Sequence, residues 1–277
     1  MTFTIMGVVN VTPDSFSDGG RYLAAAAAVE HGLQLAGEGA AILDIGGEST
    51  RPGAQSVSAE DELERVIPVL EELHSRGCPA ELSIDTSKAV VAEAALRAGA
   101  TLVNDVTALR GDPDMARLVA DRGVRCCLMH MLGTPRTMQQ DPRYDDVVGE
   151  VKAFLEERLE YAVEHGIAAE NVWLDPGIGF GKTAEQNLEL LRRVDEIVAI
   201  GRPVVIGTSR KSFLGRLTGR DVDNRLAATI ASNVLAFARG ARVFRVHDVA
   251  AVHDALIVAA ATVTAPWTSP TSTTTTK

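Results

Sequence analysis

Aromatic side chains make up only 4% of this 277-residue chain, so its core must be built from Val, Ile, Leu and Ala. Basic residues are also in deficit: 27 Lys and Arg stand against 37 Asp and Glu, a formal charge of −10. Nucleic acid and anionic membrane surfaces call for a basic face, so neither is an expected partner. Cysteine is scarce as well. Cys78, Cys126 and Cys127 give no even framework, and adjacent strand residues point to opposite faces, so reduced packing residues are expected. No apolar run reaches spanning length and no leader-like segment opens the chain. Together these absences predict a cytoplasmic protein. The stretch Thr264 to Lys277, rich in Thr, Ser and Pro, is expected to be a disordered tail outside one domain of residues 1–263.

What the chain does have is alternation. Short Val/Ile/Leu-rich runs at 4–10, 41–46, 81–86, 101–105, 125–130, 171–175, 203–208 and 242–247 are predicted strands. Helical patterns at 24–37, 58–76, 88–98, 113–122, 145–165, 185–199 and 223–239 separate them, and 249–262 follows the last. The runs are almost continuously apolar, as strands buried on both faces of a parallel sheet must be. Eight such units predict an α/β fold, a single-domain (β/α)8 barrel of the TIM type, with a doubly wound open sheet as the competing arrangement.

A barrel of this type carries its active site at the C-terminal ends of its strands. There the sequence places Asn10; Asp44 with Glu48 and Arg51; Asp85; Asn104 and Asp105; His130; Asp175; Ser209, Arg210 and Lys211; and Arg245 with His247. Any one of these is explained as a helix cap or turn former. Eight groups at the same topological position point to one site.

Three of these groups suggest a ligand. Asp85, Asn104 and Asp175 are acceptors without a basic partner on their own segments. They suit the flat, N–H-bearing edge of a guanidine-like heterocycle, where each paired, charge-assisted bond is worth ~1.5–3 kcal/mol. Their dispersion does not resemble a compact metal motif. The cations after the seventh and eighth strands, Arg210, Lys211 and Arg245 with His247, predict an anion site where barrels usually hold phosphate. His31, His74, His165 and His253 fall on predicted helices and are expected to be structural, and His130 to support the mouth. The run Asp175 to Thr183 is not a phosphate loop, because Pro176 stands where that motif needs Gly. Nothing in the sequence supports a covalent nucleophile or a dinucleotide fingerprint.

The segments MGVVNVTPDSFSDGG, DIGGESTRPG, SIDT, NDV, LMHM, DPGIGFGKT, SRKSFLG and RVHDV, in order from Met6 to Val249, resemble the dihydropteroate synthase family. The resemblance implies condensation of 7,8-dihydropterin-6-ylmethyl diphosphate with 4-aminobenzoate, giving 7,8-dihydropteroate and diphosphate. It implies that this folate-pathway transferase, a sulfonamide target and homodimer, loses diphosphate ahead of arylamine attack. Asp85, Asn104, Asp175 and Lys211 would bind the pterin edge, with Met129 and Arg245 against its faces. Asn10, Arg245 and His247 would bind diphosphate, with Mg²⁺ near Asn10. Thr50, Arg51, Pro52, Phe180 and Ser212 would form the aminobenzoate pocket. Asn10, Asp85, Asp175, Lys211, Arg245 and His247 would be the catalytic set. Thr12, Pro13, Asp14, Phe16, Ser17 and Asp18 would belong to a mobile loop that closes over the mouth. The alternatives are a pterin- or folate-binding methyltransferase barrel, which would lack the SRKS and RVHD segments, and a non-catalytic pterin-binding paralogue.

Overall fold

The computed structural model describes residues 2–11, 20–50 and 53–264. The predicted mobile-loop residues Thr12, Pro13, Asp14, Phe16, Ser17 and Asp18, the pocket residues Arg51 and Pro52, and the tail from residue 265 lie outside that range. In chain order the strands and helices are β1 (Thr4–Asn10), α1 (Gly20–Gly37), β2 (Ile42–Gly46), α2 (Ala59–Ser75), β3 (Glu81–Asp85) and α3 (Ala89–Arg97). Then come β4 (Leu102–Asp105), α4 (Met115–Arg122), β5 (Arg125–Met129), α5 (Val147–Glu164), β6 (Val172–Asp175), α6 (Ala184–Arg192) and α7 (Val194–Val198). The chain finishes with β7 (Val205–Ile206), α8 (Ser212–Thr218), α9 (Leu226–Ala238), β8 (Val243–Val246) and α10 (Val249–Thr264).

All pairings are parallel, in the order β6-β5-β4-β3-β2-β1-β8-β7. A single bridge, Leu174 to Val204, joins the two ends and closes the barrel. The predicted eight-unit (β/α)8 fold is therefore the observed one. β7 is shorter than its predicted span because Pro203 has no N–H to extend the ladder. Its carbonyl still accepts from Leu174 N at 2.9 Å. The predicted helix 185–199 breaks at Arg193 into α6 and α7, and Leu190, Leu191, Val194 and Ile197 all reach the core. The helix α8 lies outside the predicted helical stretches.

Strand alternation sorts the barrel interior. Met6, Ile42, Leu102, Cys127, Trp173, Val205 and Val243, from seven strands, form one buried apolar layer inside the barrel. Side chains two residues further along share that inward face. They are Val8, Asp44, Asn104, Met129, Asp175 and Arg245, with Gly207 following β7. The chain thus lays an apolar floor and, one step above it, a chemically active surface. A separate, larger cluster packs the outer strand faces against the helices. Burying its aliphatic side chains, at ~1.5–3 kcal/mol for each large one, supplies the main favourable term in folding.

Candidate active site

A cleft of about 480 Å³, counted with its open mouth, sits over the upper layer and is lined by the ends of β3, β4, β5, β6 and β8 and by the loops after β2, β4, β6, β7 and β8. Asp85, Asn104, Met129 and Asp175 line it together with Lys211, Arg245 and His247. Thr50, Phe180 and Ser209 complete the rim. Asn10 ends β1 and is half-buried, but it does not line this cleft. Ser212 is exposed at the first position of α8, one residue beyond the lining Lys211.

The cleft is organised by charge at its base. Asp44 is fully buried and was named by the sequence only as a strand-end polar group. Its Oδ1 accepts from Ser83 Oγ at 2.6 Å, and its Oδ2 accepts from Asn104 Nδ2 at 2.9 Å and Arg245 Nε at 2.6 Å. Arg245 Nη2 also donates to Asp85 Oδ2 at 2.7 Å. Asp85 thus has a basic partner after all, supplied from β8. Burial would lower the Arg245 pKa, but Asp44 and Asp85 outweigh it and raise it. Burial pushes Asp85 up to about 7, with Arg245 opposing and Asp44 reinforcing the rise. Asp175 is likewise raised by burial, against the pull of the Gly177 N–H and of Lys211.

The loop after β6 is held from inside. Asp175 Oδ1 accepts from Gly177 N at 2.7 Å. Gly177 adopts φ +66°, and a Cβ there would run into the His130 carbonyl oxygen. Lys182, also buried, donates to Gly177 O at 2.9 Å, Phe180 O at 3.0 Å and His130 Nδ1 at 2.9 Å. Burial pushes Lys182 down to about 7, and its ammonium form can donate to all three acceptors when His130 Nδ1 carries no proton. Burial and Lys182 push His130 down to about 2, so it stays neutral and acts as the mouth support the sequence predicted. Phe180, at the tip of this loop, has Lys211 Nζ 4.0 Å from its ring centroid. Burial lowers Lys211 to about 8, while Asp175 favours its charge.

The anion wall differs from expectation in two ways. Arg210 does not line the cleft: its Nη2 and Nε donate to Asp248 Oδ1 at 2.6 Å and Oδ2 at 3.0 Å. A carboxylate three residues after Arg245 neutralises it, so it braces the β7 and β8 loops and drops out of the anion set. His247 is held down to about 4 by burial and Arg245, and is neutral near pH 7. Ser209 Oγ accepts from His247 N at 3.2 Å and lies 3.0 Å from Nδ1. That hydroxyl can give its proton to Nδ1 or accept from Nδ1–H, so the contact fixes the ring plane and not the tautomer. His247 is thus a neutral imidazole, not a cation.

Sequence reasoning missed the roles of Asp44, Ser83, Lys182 and Ser209. Asp44 and Ser83 carried a usable signal: each lies at the inward parity of its strand. Of the helical histidines, His31, His74 and His165 are exposed, His165 stacks on Tyr161 at 3.9 Å between centroids, and His253 packs edge-on to Phe3. Burial raises the Cys126 thiol to about 12 and leaves it inert.

Comparison with known proteins agrees with this geometry. The family model described as "Pterin binding enzyme" matches residues 6–247. The dihydropteroate synthase of Escherichia coli (strain K12) is 44% identical over 261 residues, which is 94% of this chain and 92% of that protein. The Xanthomonas albilineans dihydropteroate synthase solved with 4-aminobenzoic acid superposes with a TM-score of 0.90 at 50% identity, covering 96% of this chain and 94% of that one. The same protein solved with 7,8-dihydropteroate gives 0.87 at 47% identity, covering 96% and 95%. Identity and coverage of this order, with the strand-end acceptors and cations in one cleft, make the chain a member of the pterin-binding enzymes and, among them, of the dihydropteroate synthase family.

Proposed function

We propose that this cleft joins 7,8-dihydropterin-6-ylmethyl diphosphate to 4-aminobenzoate, releasing diphosphate and 7,8-dihydropteroate. The observation that carries the reading is the joint lining of the cleft: buried acceptors from β3, β4 and β6 share it with Lys211, Arg245 and His247 from the ends of β7 and β8. Asp85, Asn104 and Asp175 hold the N–H edge of the pterin, with Met129 and Arg245 against its faces and Lys211 at its rim. Arg245 and His247 meet the leaving diphosphate. The guanidinium keeps three N–H groups after serving Asp44 and Asp85, and His247 in its Nε2–H tautomer adds a fourth donor. Donors fixed in place before charge develops are worth several kcal/mol in the transition state. The carbon–oxygen bond to diphosphate breaks first, and its electron pair leaves with the diphosphate. The methylene cation is delocalised into the pterin, which Asp85 and Asp175 favour as it becomes positive. The neutral arylamine then attacks that carbon and sheds a proton, so no protein nucleophile is required.

Thr50, Phe180 and Ser212, with Arg51 and Pro52, form the aminobenzoate side in this reading. Asn10 offers a hard carboxamide oxygen with no side-chain hydrogen bond among the described residues. No group of three His, Cys, Asp or Glu suited to a metal occurs among those residues. That donor set fits Mg²⁺ only as an ion carried largely by the substrate's own phosphates, which is how Mg²⁺ is commonly bound. Asn10 would hold the ion, and the bound ion would neutralise diphosphate charge. Exposed Leu217, Leu226, Leu235, Ile257, Val258 and Val263 on α8, α9 and α10 support a homodimer through that face. Three free thiols support a cytoplasmic setting, and no described helix is long and apolar enough to cross a membrane.

The test is incubation with the pterin diphosphate, Mg²⁺ and 4-aminobenzoate, following diphosphate release and dihydropteroate together. Stoichiometric formation of both is expected. Absence of any aminobenzoate-dependent product would sink the reading.

A further inference from the structure

Asp44 is the one carboxylate of the upper layer that the proposed chemistry does not use. It is fully buried beneath the cleft and does not line it. A charge in such a place is not required for stability, since buried ion pairs exchange for apolar residues at little cost and often at a gain. Its partners suggest a different reason for it. Ser83 on β3, Asn104 on β4 and Arg245 on β8 all donate to it, so one side chain on β2 ties four strands together.

The Asn104 bond has a chemical consequence. A carboxamide presents a donor on one side and an acceptor on the other, and a rotation of 180° about its last bond exchanges them. Oδ2 of Asp44 accepts the Asn104 N–H at 2.9 Å, so the amide nitrogen is turned down into the barrel. The carbonyl oxygen is the atom left for the cleft that Asn104 lines. Rotating the amide would set two oxygens against each other at the base and place a donor in the cleft. The same carboxylate oxygen takes Arg245 Nε at 2.6 Å, which fixes the plane of the guanidinium and aims its remaining N–H groups upward.

We propose that Asp44 is a positioning residue that sets the polarity of the ligand edge, by holding the Asn104 carbonyl toward the cleft, and sets the aim of Arg245. With Asp85 and Asp175 as neighbours, it makes that edge all-acceptor. Ligands with several adjacent N–H donors are selected, and isosteres that carry an acceptor there are rejected. The inference rests on the pterin-binding role argued above.

The measurement is calorimetry with a pterin lacking the diphosphate, alongside steady-state kinetics. In Asp44→Asn the base can donate as well as accept, and Asn104 is free to turn. Pterin affinity should fall tenfold or more, and the KM for the pterin diphosphate should rise with it. The KM for 4-aminobenzoate should stay within about twofold of the parent, a split that general loosening of the fold would not produce. In an Asn104→Ala background the same Asp44→Asn change should cost several-fold less in pterin affinity than in the parent, because of the two groups it orients only Arg245 remains. Ser83→Ala removes the donor on Asp44 Oδ1 without touching a cleft atom of Asn104, and carries the test if Asp44→Asn does not fold. It should weaken pterin binding measurably, and by less in the Asn104→Ala background. Unchanged pterin affinity in a folded Asp44→Asn or Ser83→Ala protein, or losses that multiply in full in the double variants, would overturn the inference. A parent protein that binds no pterin would instead overturn the functional reading.

Discussion

Two rings of side chains share the barrel interior and differ in almost everything else. The lower ring, Met6, Ile42, Leu102, Cys127, Trp173, Val205 and Val243, is buried and apolar. The upper ring carries Asp44, Asn104, Asp175 and Arg245 on the same strands and the same face. The two are separated by two residues of rise, about 6–7 Å. Stability and chemistry are therefore stacked, and a one-residue slip of register would destroy both. A shift of two residues would put charge into the floor.

The comparison is most severely strained from below. Trp173→Ala should destabilise the protein by ~3–5 kcal/mol through lost burial and the cavity left in the floor. Chemical denaturation would show it, and the protein that remains folded should keep its KM values. From above, His247→Ala should lower turnover by ~10²–10³-fold, about 2.7–4 kcal/mol, by removing a preorganised donor. Its melting temperature should move little, since the side chain's bond is to Ser209 at the rim. A melting-temperature fall to match that of Trp173→Ala would merge the two rings into one structural unit. Asp175→Asn should weaken pterin binding by ~1.5–3 kcal/mol, the worth of a charged hydrogen bond, while its carbonyl still serves the Gly177 N–H. Unchanged affinity in calorimetry would remove Asp175 from the ligand edge.

The smallest effect is the pH profile. Asp85 must be a carboxylate to accept from the pterin, and burial holds it at about 7. Affinity should therefore increase as pH rises through about 7. Lys211, lowered by burial to about 8, loses its proton above that value. Affinity should then decline, so binding peaks between the two. Asp85→Asn should remove the lower limb and leave the upper one, as followed by pterin fluorescence titration.

Much of this was legible in the chain. Strand-end positions were readable because period-two alternation and strand burial are local properties, so Asp85, Asn104, Asp175 and Arg245 could be placed before any coordinates. Pairings across long separations were not. Arg210 belongs to Asp248, 38 residues on, and Lys182 to His130, 52 residues back; neither has a local signature. The role of Asp44 was hidden for the same reason, since its meaning comes from partners 39, 60 and 201 residues away. The break in the helix after β6 and the appearance of α8 are choices of tertiary packing that propensity alone does not make.

The barrel's closure is its least bonded joint: one bridge, with Pro203 beside it, connects β6 to β7. Above that joint, Lys211 from the loop after β7 rests on Phe180 from the loop after β6. A ligand that engages both loops therefore acts as a rivet across the seam. Coupling of this kind is reciprocal. Whatever tightens the ring from outside the cleft strengthens the grip on the ligand, and the ligand repays it by stiffening the ring.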